Sequence, residues 1–234
     1  MIDVRDIMNC NWRDYFAPIG AVGMGLDIAT TAQAKSNPSG LALTQEVDGG
    51  YAVRFVVRYK TADPEVTTLL IRHIAGTMPH NLRVRKLCAD ATNERFFVAQ
   101  LKAKLAGQLV VEGVVGGENI VVRGEKMSKK ALRCNLLINA VEDGRLALPN
   151  EKWLERDLRQ PKRAGGTFET DVDADGNHGD AFDGISLSLM ALYREGGGVA
   201  EAVAAAVGGF GSPQQMPSKN PLLRAAQSVR RLFF

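Results

Sequence analysis

Cysteine is scarce in this chain. Cys10, Cys88 and Cys134 stand far apart with no paired spacing, which excludes a disulfide or zinc framework and points to a reducing compartment. Long apolar runs are missing too. None approaches the roughly 18 residues needed to cross a bilayer. The opening Met1-Ile-Asp-Val-Arg-Asp has no signal-peptide pattern, so the expectation is a cytoplasmic protein with no membrane partner. Aromatic residues are few, at 6%, and Trp12 and Trp153 read as packing residues rather than base-stacking platforms. There is no Gly-x-x-x-x-Gly-Lys-[Ser/Thr] phosphate loop; Gly124-Glu-Lys-Met-Ser128 has the wrong spacing. No internal repeat is visible.

What remains is an ordinary globular composition, 45% apolar and 24% charged in 234 residues, enough for one large domain or a domain with appendages. The net charge of +3 resides after Gly196, where Lys219, Arg224, Arg230 and Arg231 face only Glu201. Global charge therefore cannot support nucleic-acid binding, which needs a local basic patch. Residues 123–163 supply one candidate, with eleven basic residues against six acidic.

Three segments follow from this pattern: a linker or docking stretch over 1–20, a folded domain over 21–195 and a basic Gly/Ala-rich tail over 196–234. Within the domain, 21–28, 40–46 and 51–59 read as a three-stranded meander with a turn at Asp48-Gly49-Gly50. Asp63-Pro64 is a helix start. A strand-helix-strand rhythm over 84–89, 92–105 and 109–115 predicts parallel pairing. The spacing predicts a long helix over 126–141, carrying Lys126, Lys129, Lys130 and Arg133 as a basic stripe. A short strand near 146, a short helix over 151–159, a strand over 166–172 and an apolar helix from Asp180 to about Tyr193 complete the pattern. The final 222–234 reads as an amphipathic basic helix.

The stretch Asp171-Val-Asp-Ala-Asp-Gly-Asn-His-Gly-Asp-Ala-Phe-Asp183 resembles a calcium loop only in its first half. Asp171, Asp173, Asp175 and Gly176 fit loop positions 1, 3, 5 and 6, but Phe182 stands where a bidentate Glu is required. A hairpin turn is the expected role of Asp171, Asp173 and Asp175. Acidic residues also recur at element ends. Asp27 closes the first strand, Asp90 the fourth, and Asp180 opens the last helix with Asp183 one turn on. With the fourth strand beside the first, Asp27 and Asp90 become neighbours and the last helix can bring Asp180 to them. Carboxylates so held repel unless a counter-charge is present. Oxygen-only donors favour Mg2+ or Mn2+, and two such ions can promote phosphodiester hydrolysis.

This order resembles the ribonuclease H-like fold, and more specifically the C-terminal nuclease domain of the large terminase subunit of tailed bacteriophages. The resemblance rests on Met24-Gly-Leu-Asp27 with Ser39-Gly-Leu-Ala-Leu43, on Leu87-Cys-Ala-Asp-Ala91, and on Asn177-His-Gly-Asp-Ala-Phe-Asp183. The basic helix before Glu142-Asp-Gly-Arg-Leu-Ala-Leu-Pro149 adds to it. It implies an α/β fold with a mixed sheet, an antiparallel meander plus parallel strands flanked by helices. It implies a metal-dependent endonuclease that cleaves double-stranded DNA during phage genome packaging, through attack of metal-activated water on a phosphodiester. Asp27, Asp90 and Asp180 would be catalytic metal ligands with Asp183 as a further one, holding Mg2+ or Mn2+, two ions. His178 would be a proton shuttle or phosphate contact. Lys126, Lys129, Lys130 and Arg133 would hold the DNA backbone. Implied partners are duplex DNA, the terminase ATPase domain, the small terminase subunit and the portal, in the host cytoplasm. Without the phosphate loop, translocation is not expected of this chain. A junction resolvase, a transposase core and a non-enzymatic metal-stabilised interaction module stay open as alternatives.

Overall fold

The computed structural model describes residues 4–29, 37–61, 63–164, 167–170 and 178–194. In chain order the elements are α1 (Val4–Asn9), a 3-10 turn at Trp12–Tyr15, β1 (Val22–Asp27), β2 (Ser39–Val47), β3 (Gly50–Tyr59) and α2 (Pro64–Gly76). A 3-10 turn at Pro79–Asn81, β4 (Val84–Asp90), α3 (Arg95–Lys104), β5 (Val111–Val114), β6 (Asn119–Val122), β7 (Glu125–Ser128) and α4 (Lys129–Glu142) follow. The chain then forms β8 (Leu146–Ala147), α5 (Lys152–Leu158), β9 (Pro161–Ala164), β10 (Thr167–Thr170) and α6 (Asp180–Leu192). The expected amphipathic helix over 222–234 and the tail over 196–234 lie outside the described residues.

Six strands form one mixed sheet in the order β5-β4-β1-β2-β3-β8. β1, β2 and β3 are the antiparallel meander, and β4, β5 and β8 pair in parallel. The β2–β3 hairpin turns through Asp48 and Gly49, both at positive φ (49° and 75°), a twist that matches the flanking strands. α2 begins as its sequence dictates: the Asp63 side chain accepts the Glu65 N–H and Pro64 takes the first helical position.

Alternation along β1 decides what each face can hold. Val22, Met24 and Leu26 point into a core shared with Leu70, Ile71 and Ile74 of α2, Leu87 and Ala89 of β4 and Leu101 of α3. Ile7, Trp12 and Phe16 of the N-terminal segment pack into the same core, so Trp12 is a packing residue. The intervening positions, Gly23 and Gly25, lie against α6. A Cβ on Gly25 would collide with the Gly184 carbonyl and the Ser188 N–H, and one on Gly40 with the Asp180 carbonyl. α6 thus lies directly on the sheet backbone, its outer side packed by Leu137, Leu154 and Leu158 of α4 and α5.

One local expectation is corrected. The predicted helix over 126–141 starts only at Lys129, capped by the Ser128 side chain, which accepts the Ala131 N–H at 3.1 Å. Residues before it form a β6–β7 hairpin because Arg123 and Gly124 turn the chain at positive φ (55° and 84°) between β-branched Ile120-Val121-Val122 and Lys126. The strand expected over 166–172 is described at Thr167–Thr170 as β10, paired with β9; residues 166, 171 and 172 lie outside the described residues. Asp171, Asp173 and Asp175, expected in a hairpin turn, lie outside the described residues. No helix among the described residues is long and apolar enough to cross a membrane.

Candidate active site

The site is built at the end of the sheet where β1 and β4 finish. Leu26 pairs with Ala89 in the parallel β1–β4 register. The next residue in each strand is Asp27 and Asp90, so the two carboxylates sit side by side. Both fall on the α6 side: Asp27 continues the Gly23–Gly25 alternation, and Asp90 follows Cys88, which packs with Leu187 and Met190. The glycines therefore have a direct chemical consequence. By letting α6 settle on the backbone of β1 and β2, they set its first turn, with Asp180 and Asp183, over these strand ends.

Each carboxylate has a different setting. Asp90 Oδ1 accepts the Thr92 N–H at 2.8 Å, and its Oδ2 accepts from Arg133 Nη2 at 3.3 Å. Asp183 Oδ1 pairs with Arg133 Nη1 at 2.7 Å. Asp27 is half-buried. Desolvation first, then the charges of Asp183, Asp90 and Asp180, push its pKa well above the ordinary carboxylate range, while Arg133 opposes the shift. Asp180 is 2% exposed, and its Oδ2 is buried with no hydrogen-bond partner. Burial, and then the neighbouring Asp157 charge, push its carboxyl up to about 7. His178 is half-buried just ahead of α6.

Two groups were not legible as site residues. Asp157 of α5 is 1% exposed. Its Oδ2 accepts the N–H groups of Ala181 (2.7 Å) and Phe182 (3.2 Å), and its Oδ1 pairs with Arg58 at 3.1 Å. It caps α6 from outside, because the residue at the cap position, Gly179 (φ 74°), has no side chain to do so. The Arg58 guanidinium also stacks over Trp153, 4.9 Å from the ring centroid.

Arg133 departs from the expected solvent-facing stripe. It is 2% exposed and lies between Asp90 and Asp183, donating also to Ser186 Oγ at 3.1 Å. Burial works against its charge, but the Asp183 and Asp90 carboxylates outweigh burial and hold the guanidinium charged. A signal was present: Arg133 shares the helical face of Leu137 and Ala140, both core residues. The other three lysines divide between elements. Lys126 is exposed on β7; Lys129 and Lys130 open α4 half-buried, Lys129 pairing with Glu118 at 2.7 Å.

The side chains at these element ends offer only carboxylate oxygens, the donor type that a hard divalent cation prefers, and the buried Asp180 Oδ2 is an acceptor with nothing to accept from. Among the described residues, no three His, Cys, Asp or Glu side chains stand together in an arrangement that could hold an ion; the counter-charge is the Arg133 guanidinium.

This architecture is an α/β fold, a mixed sheet of antiparallel and parallel strands flanked by helices. The chain has the fold of terminase large-subunit nuclease domains. The large terminase nuclease from thermophilic phage G20c superimposes with a TM-score of 0.53 and 16% identity, covering 75% of this chain and 84% of that one. The same nuclease with bound magnesium gives a TM-score of 0.54 and 15% identity over 75% and 83%. The manganese-soaked human cytomegalovirus terminase nuclease domain gives 0.43 and 13% over 80% and 87%. No family model matches the chain, and no curated protein sequence matches it.

Proposed function

We propose that the chain is a divalent-metal-dependent endonuclease that cleaves double-stranded DNA during phage genome packaging. The observation that carries the proposal is the convergence of Asp27, Asp90, Asp180 and Asp183, from two strand ends and one helix start, in a fold shared with a large terminase nuclease seen with magnesium.

In this reading Asp27, Asp90 and Asp180 hold Mg2+ or Mn2+, two ions, and Asp183 assists. A bound divalent cation supplies Lewis-acid stabilisation of the attacking and leaving oxygens. Lys126, Lys129 and Lys130 hold duplex phosphates and set the scissile bond over the carboxylates, contacts that carry no sequence information. Arg133, turned inward, is not among them. Water attacks phosphorus in line and the opposite P–O bond breaks. His178, just ahead of α6, is the candidate proton shuttle or phosphate contact in this reading. The proposed partners are the packaging ATPase, the small terminase subunit and the portal, with the basic 196–234 tail as a docking arm, in the cytoplasm of the host.

The test is cleavage of supercoiled plasmid with Mn2+ or Mg2+, with and without chelator, by the parent, Asp27→Asn and Asp180→Asn. Metal-dependent nicking and linearisation, reduced about 100-fold or more in both variants, is the expected result. Preference for four-way junctions would indicate a resolvase instead, and strand joining a transposase. Cation-induced stabilisation with no cleavage of any DNA would indicate an interaction module.

A further inference from the structure

Arg133 is an unusual occupant of a cation site. It stands between Asp90 and Asp183 with Asp27 near it, 2% exposed, on a helix whose neighbouring core positions are apolar. Its two terminal nitrogens reach two different carboxylates, Nη1 to Asp183 Oδ1 at 2.7 Å and Nη2 to Asp90 Oδ2 at 3.3 Å. The fork is steadied by Ser186 Oγ, which accepts from Nη1 and itself donates to the Asp183 carbonyl at 2.9 Å. Arg133 Nε is buried and unpartnered, so the guanidinium is held by its two ends alone. With Thr92 on Asp90 Oδ1 and Arg133 on Oδ2, both Asp90 oxygens are engaged by protein donors.

We infer that Arg133 is a built-in counter-ion: it holds Asp90 and Asp183 together before any divalent cation arrives, and it competes with that cation for them. The inference rests on the reading that these carboxylates bind a divalent cation. Its physical basis is that closely held carboxylates need positive charge to stay together, and that a planar guanidinium bridges two of them in a fixed fork, which the single nitrogen of an ammonium lacks. Arg133 then acts as a positioning residue that sets a threshold for cation binding. Without it Asp90 and Asp183 would be poorly held in the absence of metal, and more attractive to a cation once brought together.

The experiment is calorimetric titration with MnCl2, paired with thermal unfolding in chelator and in Mn2+, on the parent, Arg133→Gln and Arg133→Lys. Arg133→Gln should melt below the parent in chelator, gain more from Mn2+, and bind Mn2+ at least tenfold more tightly. Arg133→Lys keeps the charge but not the fork, and should bind with an affinity between the two. If Arg133→Gln is unfolded in chelator, recovery of its unfolding transition by Mn2+ supports the inference. If it stays unfolded, Arg133→Lys decides, and an affinity equal to or weaker than the parent's overturns it. Mn2+ binding to parent and Arg133→Gln with equal affinity removes the inference and leaves the cation reading intact. No Mn2+ binding to any of the three removes both.

Discussion

Asp157 accepts the N–H of Ala181 at 2.7 Å, across 24 residues of sequence. One buried carboxylate on α5 thereby fixes the start of α6, on which Asp180 and Asp183 stand. Because the cap position is Gly179, no local side chain can replace it.

Asp157→Ala removes this cap and the Arg58 ion pair together. Caps contribute about 0.5–2 kcal/mol, and breaking a fully buried pair costs about 3–5 kcal/mol. Arg58 is partly exposed, so a loss of about 2–3 kcal/mol is expected. Urea denaturation measures it; a change below the error of the extrapolation would show that α6 is held by packing alone.

The Asp180 carboxyl makes stability depend on pH. Its folded pKa of about 7 lies above its ordinary value of 3.8, so the folded state binds the proton more tightly. The resulting stabilisation is full below about pH 4 and is lost as pH rises through 7. In chelator, Asp180→Asn should be more stable than the parent at pH 8 by about 2–4 kcal/mol and nearly equal to it at about pH 3.5, below the ordinary carboxyl value. Chemical denaturation at the two pH values tests this, and a parallel pH dependence in both proteins would contradict it.

Gly25 tolerates no side chain. A Cβ there meets the backbone of Gly184 and Ser188, which cannot move without lifting α6 off β1. Gly25→Ala should destabilise by about 1–3 kcal/mol, the usual cost of overpacking, and should reduce cleavage even under conditions where the protein remains folded. Full activity in the folded variant would mean that the height of α6 above the sheet does not set the carboxylate geometry.

The lysine side chains are separable from the chemistry. In an Asp27→Asn background with chelator, Lys126→Ala with Lys130→Ala should weaken duplex binding and lower the slope of log affinity against log salt by about 2, roughly 0.9 for each phosphate no longer neutralised. Filter binding over a salt series reads the slope directly. An unchanged slope would place the DNA on another face.

The limits of local sequence show clearly in α4. Three of its residues, Lys129, Lys130 and Arg133, look alike as positive charges at helical spacing, yet two open the helix at the surface and one is buried between carboxylates 43 and 50 residues away. Nothing in their immediate neighbours separates them. What distinguishes Arg133 is the face it shares with Leu137 and Ala140, and that face has meaning only once α6 is known to lie against it.

The meander, the parallel strands, the Asp63-Pro64 helix start and the placing of Asp27, Asp90 and Asp180 at element ends are legible from local pattern alone. These follow from alternation, turn residues and capping, which act over a few residues. That Asp157 caps α6, that Arg133 turns inward to Asp90 and Asp183, and that Gly23, Gly25 and Gly40 are a seat for a helix emerges only from the packing of distant elements. Those outcomes depend on which elements meet, and burial and charge pairing act between groups far apart in the chain.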